Sequence, residues 1–174
     1  MEPRILIGQI LGVIVVLISF ASYQAKTQKG IVIINLIATL VNATHYLLLG
    51  SYLGALLNSV CIIRNVVYYY KDKKIFSSRA VPYVMAAVIA VVAAFSWEGY
   101  ITLVLAGALM INTVMLSCDN PQTVRRSILL TSTMILIYNI VLGSVGGCAN
   151  EIVAISSAII GLVRYRTKKT EENT

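Results

Sequence analysis

Seven apolar segments, each about the length of a short membrane-crossing helix, fill most of the chain and limit its fold more than any other feature. A helix needs about 20 mostly apolar residues to cross the hydrocarbon core of a bilayer. Backbone polar groups there must bond to each other, and no segment alternates apolar and polar residues like a barrel strand. We therefore predict an all-α, polytopic membrane protein with seven transmembrane helices over residues 5–22, 31–50, 53–70, 80–96, 100–117, 127–144 and 148–163.

The composition supports this interpretation. Of the 174 residues, 58% are hydrophobic and 12% are charged, and the mean hydropathy is +0.83. Soluble domains carry roughly a quarter charged residues, and disordered chains are poor in Val, Ile and Leu. The composition therefore excludes both a soluble globule and a disordered chain, and it leaves little room for a separate soluble domain.

Most of the residues behind the net charge of +7 lie on connections that would face the same side of the membrane. Twelve of the fourteen Lys and Arg residues lie on alternate connections and in the C-terminal tail, within residues 26–29, 71–79, 125–126 and 164–169. Cytoplasmic loops carry such an excess of basic residues. We therefore predict an N-terminus outside and a C-terminus in the cytoplasm. The lipid bilayer, not nucleic acid, is the expected partner of this charge.

Segments one to three and five to seven form a weak internal repeat. Residues 49–54 and 142–147 share the order Leu-Gly-Ser, with a glycine three residues after the serine. Further matching landmarks are Ser19 with Ser117 and Gln24 with Gln122. Parallel repeats of this kind are a known transporter plan, with the binding site near the membrane midplane between the two halves.

The repeat predicts a 3+1+3 arrangement. Three helices reverse the direction of the chain, so two parallel three-helix units need one extra helix between them. We expect a first triple-helix bundle over 1–76, a connecting helix over 77–98, a second triple-helix bundle over 99–166, and a disordered cytoplasmic tail over 167–174.

Short motifs near these landmarks carry a family resemblance. They are Gly8-Gln9-Ile10-Leu11-Gly12, Tyr23-Gln24, Asn120-Pro121-Gln122 and His45-Tyr46-Leu47-Leu48-Leu49-Gly50. With these motifs the chain resembles the PQ-loop superfamily, which includes the SWEET and SemiSWEET transporters. Within it, the pattern is most similar to the YgjV-type bacterial inner-membrane family. The chain departs from the SWEET pattern at its prolines, because Tyr23 stands where the first PQ proline would be.

The resemblance implies a SWEET-like fold in the cell inner membrane and roles for particular residues. Gln24, Pro121 and Gln122 would belong to the gating motifs. Asn58 stands where those transporters place a substrate-facing asparagine, and Asn150 stands at the similar place in segment seven.

Polar residues inside the segments are the candidate binding groups, because such residues usually face a bundle interior or a watery cavity. Asn35, Thr39, Asn42 and Tyr46 follow steps of four, three and four residues, which put them on one helical stripe. Our six predicted contacts to a polar solute are Asn42, Tyr46, Asn58, Arg64, Tyr138 and Asn150. The alternative is hydrogen bonding between helices, which contributes about 0.6 kcal/mol per contact.

Two charged residues lie inside the segments. Arg64 has two interpretations that stay open: its long side chain reaches water at the cytoplasmic end, or it is a fixed positive charge that selects an anionic group. Glu151 stands at the outer mouth, with pairing to Arg64 as the alternative. Glu151 is also a candidate for ion or proton coupling.

His45 is the single histidine, and its charge can change near neutral pH. We therefore retain it as a coupling candidate. No Cys, Asp or Glu stands at ligand spacing around it, so we expect no metal and no cofactor. The chain holds no nucleophile elbow, phosphate-binding loop or close carboxylate pair, and we expect no enzymatic activity.

The sequence therefore predicts a uniporter that moves a small polar solute, such as a sugar or related metabolite, by alternating access between two three-helix bundles. The alternative is a non-transporting PQ-loop-type scaffold or receptor that recruits a partner. Whether the protein forms a homo-oligomer stays open.

Overall fold

The computed structural model describes the backbone of residues 3–24, 28–70, 73, 76–118 and 121–171, and the side chains of 3–19, 32–70, 73, 76–118 and 122–163. This part of the chain is all-α and holds seven helices and no strand. The helices are α1 (Pro3–Gln24), α2 (Gln28–Leu48), α3 (Tyr52–Tyr69), α4 (Val81–Phe95), α5 (Ile101–Leu116), α6 (Pro121–Leu142) and α7 (Val145–Glu171).

The seven helices lie where the apolar segments predicted them, with differences at two ends. α6 begins at Pro121 instead of residue 127, because proline at the first position of a helix has its φ already set for the helix and loses no hydrogen bond. α7 continues to Glu171, past Thr167, where we expected a disordered tail to begin. Its last turns are rich in Lys, Arg and Glu, which are good helix formers.

The helices pack as a ring. Helices adjacent in sequence contact each other, α1 contacts α7, and α3 also contacts α5. The ring order is therefore α1, α2, α3, α5, α6, α7, with α4 beside the junction of α3 and α5. Among the described residues, α1 does not contact α3 and α5 does not contact α7. Each three-helix unit is thus a row with its second helix in the middle.

Many large apolar side chains are exposed and many polar side chains are buried, as in a protein that is surrounded by lipid. Leu17, Val141 and Ile160 are among many large apolar side chains that are more than half exposed. The fully buried side chains include polar ones: His45, Asn65, Asn139, Thr102, Thr113, Thr131 and Ser144. Polar groups in membrane helices face the interior in this way. Two described stretches, Gln122–Leu142 and Val145–Val163, are each long and apolar enough to cross a membrane.

The turns α2–α3 and α6–α7 have the same structure, as their matching sequences predicted. Gly50 and Gly143 have φ of +84° and +70°, a conformation that favours glycine. The amide of the following serine bonds the carbonyl five residues back, Ser51 to Tyr46 and Ser144 to Asn139, both over 2.9 Å. This is the Schellman end of a helix. The internal repeat is therefore present in the backbone of the two turns.

Each turn serine then begins the next helix. The Ser51 hydroxyl accepts a hydrogen bond from the amide of Gly54, and the Ser144 hydroxyl accepts one from Gly147, both over 3.0 Å. Serine is a favoured N-cap because its oxygen satisfies an amide that has no partner within the helix. The shared bonds also set the register of the repeat: Ser51 corresponds to Ser144, and later residues correspond at equal distances from them.

Candidate functional site

The two serine turns meet at one end of the ring, where side chains from each half bind the turn of the other half. The Nε2 atom of His45 lies 2.8 Å from the Ser144 hydroxyl, and the Nδ1 atom lies 2.7 Å from the carbonyl oxygen of Gly8. A carbonyl can only accept, so Nδ1 carries a proton. His45 therefore links α1, α2 and the start of α7.

Tyr138 makes the corresponding contact in the opposite direction. In the register of the repeat Tyr138 corresponds to His45, and its hydroxyl is hydrogen-bonded to the Ser51 hydroxyl. The turn of each half is thus held by the second helix of the other half. We refer to His45, Ser51, Tyr138 and Ser144 as the crossed turns.

Tyr46 and Asn139 occupy the next pair of corresponding positions, and they bind each other. The Tyr46 hydroxyl donates to Asn139 Oδ1 over 2.9 Å, and the Tyr46 and Tyr138 rings meet edge to face at 5.8 Å between centroids. All three side chains are buried. The Asn139 Nδ2 group is buried without a hydrogen-bond partner in the part of the chain that the structure describes. Asn139 Nδ2 is therefore a buried donor without a described partner at the turn end of the ring.

Two further side chains support the crossed turns from outside. Gln9 of α1 donates to the Gly143 carbonyl over 3.0 Å and accepts from the Val145 amide over 3.1 Å. The Glu98 carboxylate accepts from the Leu53 amide over 3.0 Å. Gln9 thus binds the turn of the other half, whereas Glu98, from the α4–α5 connection, binds the start of α3. The sequence motifs drew attention to residues 8–12 but not to this role of Gln9.

The predicted asparagines of the first half lie together one turn further into the ring. Asn42 donates to Asn58 Oδ1 over 3.2 Å, and Asn58 donates to the Gly54 carbonyl over 2.8 Å. Asn58 is buried. With Tyr46 and Tyr138 nearby, four of the six predicted substrate contacts are grouped at the turn end of the molecule.

In the second half, the residue that corresponds to Asn58 is Glu151. Each lies seven residues after its turn serine, and both are buried, with 7% and 8% exposure. Asn150 is half-buried and donates to the Glu151 carboxylate over 3.0 Å. The structural register therefore moves the position similar to Asn58 by one residue, from Asn150 to Glu151. Local sequence comparison missed this shift because it did not fix the serine as the origin.

Arg64 lies in a separate cluster toward the other end of α3, 6% exposed. Its guanidinium donates to Asn65 Oδ1 from Nε over 3.2 Å and from Nη2 over 3.0 Å. Nη1 donates to Asn112 Oδ1 over 3.2 Å and to Thr113 Oγ1 over 3.1 Å. All of these acceptors are neutral. The side chain therefore points into the ring and binds α5 instead of extending to the aqueous surface.

The Arg64 cluster continues to α2 and does not include Glu151. Asn65 donates to the Thr39 hydroxyl over 3.2 Å, and Thr39 donates to the Asn35 carbonyl over 2.6 Å. Among the described side chains, no carboxylate forms an ion pair with Arg64. The predicted alternative that Arg64 and Glu151 pair with each other is therefore wrong for the structure described here.

The remaining predicted residues are placed as follows. Gln122 is half-buried near the start of α6, and Pro121 is the first residue of that helix. Gln24 ends α1. The side chains of Gln24 and Pro121 lie outside the described residues. Of the residues that the structure adds to the site, Ser51 and Ser144 were marked by the repeat, and Asn112 stood out as a polar residue inside an apolar segment. Thr113 was not predicted.

Two apolar cavities flank α4, away from these polar clusters. One of about 250 Å³ is lined by Val67, Phe76, Ala80, Val81, Val84 and Met85. The other, of about 330 Å³, lies between α4 and α5 near Trp97 and Thr102. In the described ranges, no three His, Cys, Asp or Glu side chains are grouped to hold a metal.

Comparison with known proteins places the chain in a protein family. The family Imp-YgjV, described as bacterial inner membrane protein, matches residues 6–169. Searches of curated proteins and of solved structures found no match to the chain.

Proposed function

Since the chain belongs to the Imp-YgjV family of bacterial inner membrane proteins, we propose that it transports a small polar solute across that membrane by alternating access, as the resemblance to SWEET transporters suggests. One observation carries the proposal: buried polar side chains of both halves meet at the centre of a helical ring whose outer surface is apolar. Polar side chains inside membrane helices cost free energy, and where they occur they usually line a functional site.

The crossed turns are the proposed gate. α2 and α6 approach each other there through side chains, His45 to Ser144, Tyr138 to Ser51 and Tyr46 to Asn139. Side-chain hydrogen bonds contribute about 0.5–1.5 kcal/mol each, so three of them can break and re-form as the halves rock. The same bonds keep this end closed in the structure. We assign it to the outer side, with the N-terminus outside and the C-terminus in the cytoplasm.

The proposed solute site adjoins this gate and shares Tyr46, Tyr138 and Asn139 with it. Asn58 and Asn42 offer amide donors and acceptors, Asn139 offers a free Nδ2 donor, and Tyr46 with Tyr138 offers ring faces. Such a set suits the neutral polar groups of a small solute, such as a sugar or related metabolite. Glu151 and Asn150 face the same region from α7 and complete the proposed site. Uniport needs no further group.

Uptake into proteoliposomes tests the transport proposal. Purified protein is reconstituted and given a panel of radiolabelled sugars, amino acids and organic acids. At least one solute should enter faster than in protein-free vesicles, and Asn58→Ala should reduce that rate strongly. Ser59→Ala is the matched control, because Ser59 is exposed and bonds only the Ala55 carbonyl of its own helix. A panel in which no solute enters would contradict the proposal.

A membrane scaffold is the second candidate, and one observation favours it. The asparagine stripes are bonded within the protein, Asn42 to Asn58 and Asn65 to Thr39, as they would be in a purely structural interior. Cysteine labelling separates the two candidates. In a background without Cys61, Cys118 and Cys148, Asn58→Cys should react with a water-soluble thiol reagent in a transporter and stay unreactive in a scaffold.

A further inference from the structure

The Arg64 cluster is a part of the polar interior that the proposed solute site does not use. Arg64 is a permanent positive charge, and it is buried between α3 and α5. A charge placed inside a membrane protein is costly unless an opposite charge or a ligand compensates it. The described side chains around Arg64 supply only neutral oxygens.

The hydrogen bonds of the guanidinium show where an anion would bind. Arginine has five N–H donors, and four of them are directed at described residues. Nε and Nη2 share the single Oδ1 atom of Asn65. That edge of the guanidinium fits the two oxygens of a carboxylate or phosphate, which would bind in a bidentate manner. Asn65 Oδ1 occupies the edge as a neutral stand-in.

The cluster is also specific to the first half. In the register of the two turns, Arg64 and Asn65 correspond to Ser157 and Ala158, and Thr39 corresponds to Ser132. Structural hydrogen bonding would not need a charge at one of two equivalent sites. A solute with one anionic group, by contrast, needs a positive charge in only one of the two halves.

We propose that Arg64, with Asn65, Asn112 and Thr113, forms an anion-binding subsite that selects a solute bearing a carboxylate or phosphate group. The subsite rests on the proposed transport function and narrows its substrate class to organic anions or phosphorylated metabolites. The neutral hydrogen-bonding site that adjoins the crossed turns then binds the polar remainder of the same solute.

Thermal unfolding of the purified full-length protein in nanodiscs tests the subsite. The probes are sodium acetate, sodium succinate and inorganic phosphate at ionic strength held constant with sodium chloride, with acetamide as the neutral match for acetate. A ligand that binds only the folded state raises the unfolding temperature. At least one of the anions should raise it in a concentration-dependent way, and acetamide should not. Equal shifts with acetamide and acetate, or no anion shift at all, would overturn the proposal.

Two variants locate the effect. Arg64→Gln should weaken anion binding at least about tenfold, because a hydrogen bond to a charged group contributes that much or more. Asn65→Asp leaves Arg64 in place and supplies a carboxylate on the Nε and Nη2 edge, so the variant should fold stably and lose the anion shift. An anion shift that persists in Asn65→Asp overturns the assignment even where Arg64→Gln does not fold.

Asp72 and Asp119 lie outside the described residues, and their neutral variants complete the test. Asp72→Asn and Asp119→Asn should leave the anion shift of the wild type unchanged. If either substitution creates an anion response that the wild type lacks, that carboxylate is the counter-ion of Arg64 and the subsite is rejected. If the protein transports no solute, the anion-induced rise in unfolding temperature can still be measured, so the two proposals can fail separately. Transport of a neutral solute that survives Arg64→Gln would reject the subsite alone.

Discussion

The two junctions between the halves of the ring are equivalent in the repeat, yet they are built differently. At the α1–α7 junction the backbones meet, because Gly12 and Gly146 lie against each other and a side chain on Gly146 would come within 2.5 Å of the Gly12 backbone. At the α3–α5 junction the helices contact sparingly, and α4 packs beside them. There Arg64 and Tyr68 of α3 reach Thr113 of α5.

The difference indicates which junction is fixed and which can change width. Close contact between glycine backbones is a packing device with one good distance, whereas long polar side chains can bridge several distances. A symmetrical repeat thus acquires a tight seam on one side and an adjustable one on the other. The adjustable side holds Arg64, the one deeply buried cation among the side chains that the structure describes.

The largest expected effect breaks the tight seam. Gly146→Val places a branched side chain against the Gly12 backbone and should lower the free energy of unfolding by about 3 kcal/mol, the upper range for overpacking. Gly107→Ala is the control, because a Cβ there meets only the Met134 methyl at 3.4 Å. Thermal unfolding in nanodiscs compares the two. If both variants are equally stable, the α1–α7 seam is not tight.

A smaller effect tests the equivalence of the crossed turns. Ser51→Ala and Ser144→Ala each remove a helix cap and a bond to the other half, so each should lower the free energy of unfolding by about 1–2 kcal/mol. The same unfolding assay applies, and Ser59→Ala should change little. Losses that differ by more than the error of the assay would show that His45 and Tyr138 do not hold their serines equally.

Alanine at the turn glycines tests backbone conformation alone. Gly50→Ala and Gly143→Ala each place an L-residue in a backbone conformation with positive φ. Each should lower the free energy of unfolding by about 1 kcal/mol. No neighbouring atom lies within 4 Å of either added Cβ, so the cost is conformational. Gly99, with φ of +96°, gives the reference outside the repeat. Equal unfolding temperatures for wild type and all three variants would contradict the turn geometry.

The smallest effect concerns the adjustable junction. Tyr68→Phe removes the hydroxyl that donates to the Thr113 carbonyl over 2.7 Å and should cost about 0.5 kcal/mol, the low end for a hydrogen bond. Tyr83→Phe, at a side chain 65% exposed, is the matched control. A loss from Tyr68→Phe as large as that from Gly146→Val would mean that both junctions are equally rigid.

Much of this architecture was predictable because its signals are local. Apolar length predicted the seven helices, and the Leu-Gly-Ser stretches predicted two like turns, since a positive φ after a helix favours glycine at that site. The stripe of Asn42 and Tyr46 followed from helical spacing. The helix ends were less predictable, as the early start of α6 at Pro121 shows.

The rest depends on contacts that no local pattern encodes. The ring closure of α1 on α7 and the place of α4 are set by how helix surfaces fit in three dimensions. The hydrogen-bond partners of Arg64 were not predicted, because Asn112 and Thr113 come from α5, nearly fifty residues away. The register of Asn58 with Glu151 is contained in the Leu-Gly-Ser stretches, and the hydrogen bonds of the serine turns support it.

The seam between α1 and α7 has a consequence for how the protein is made. Its partners are the first and the seventh of the described helices, so Gly12 has no Gly146 to meet, and Gln9 has no turn to bind, until α7 has been synthesised. Because chains emerge N-terminus first, α1 waits in the bilayer as the open edge of a growing row of helices. Membrane insertion of α7 is then the step that converts the row into a ring.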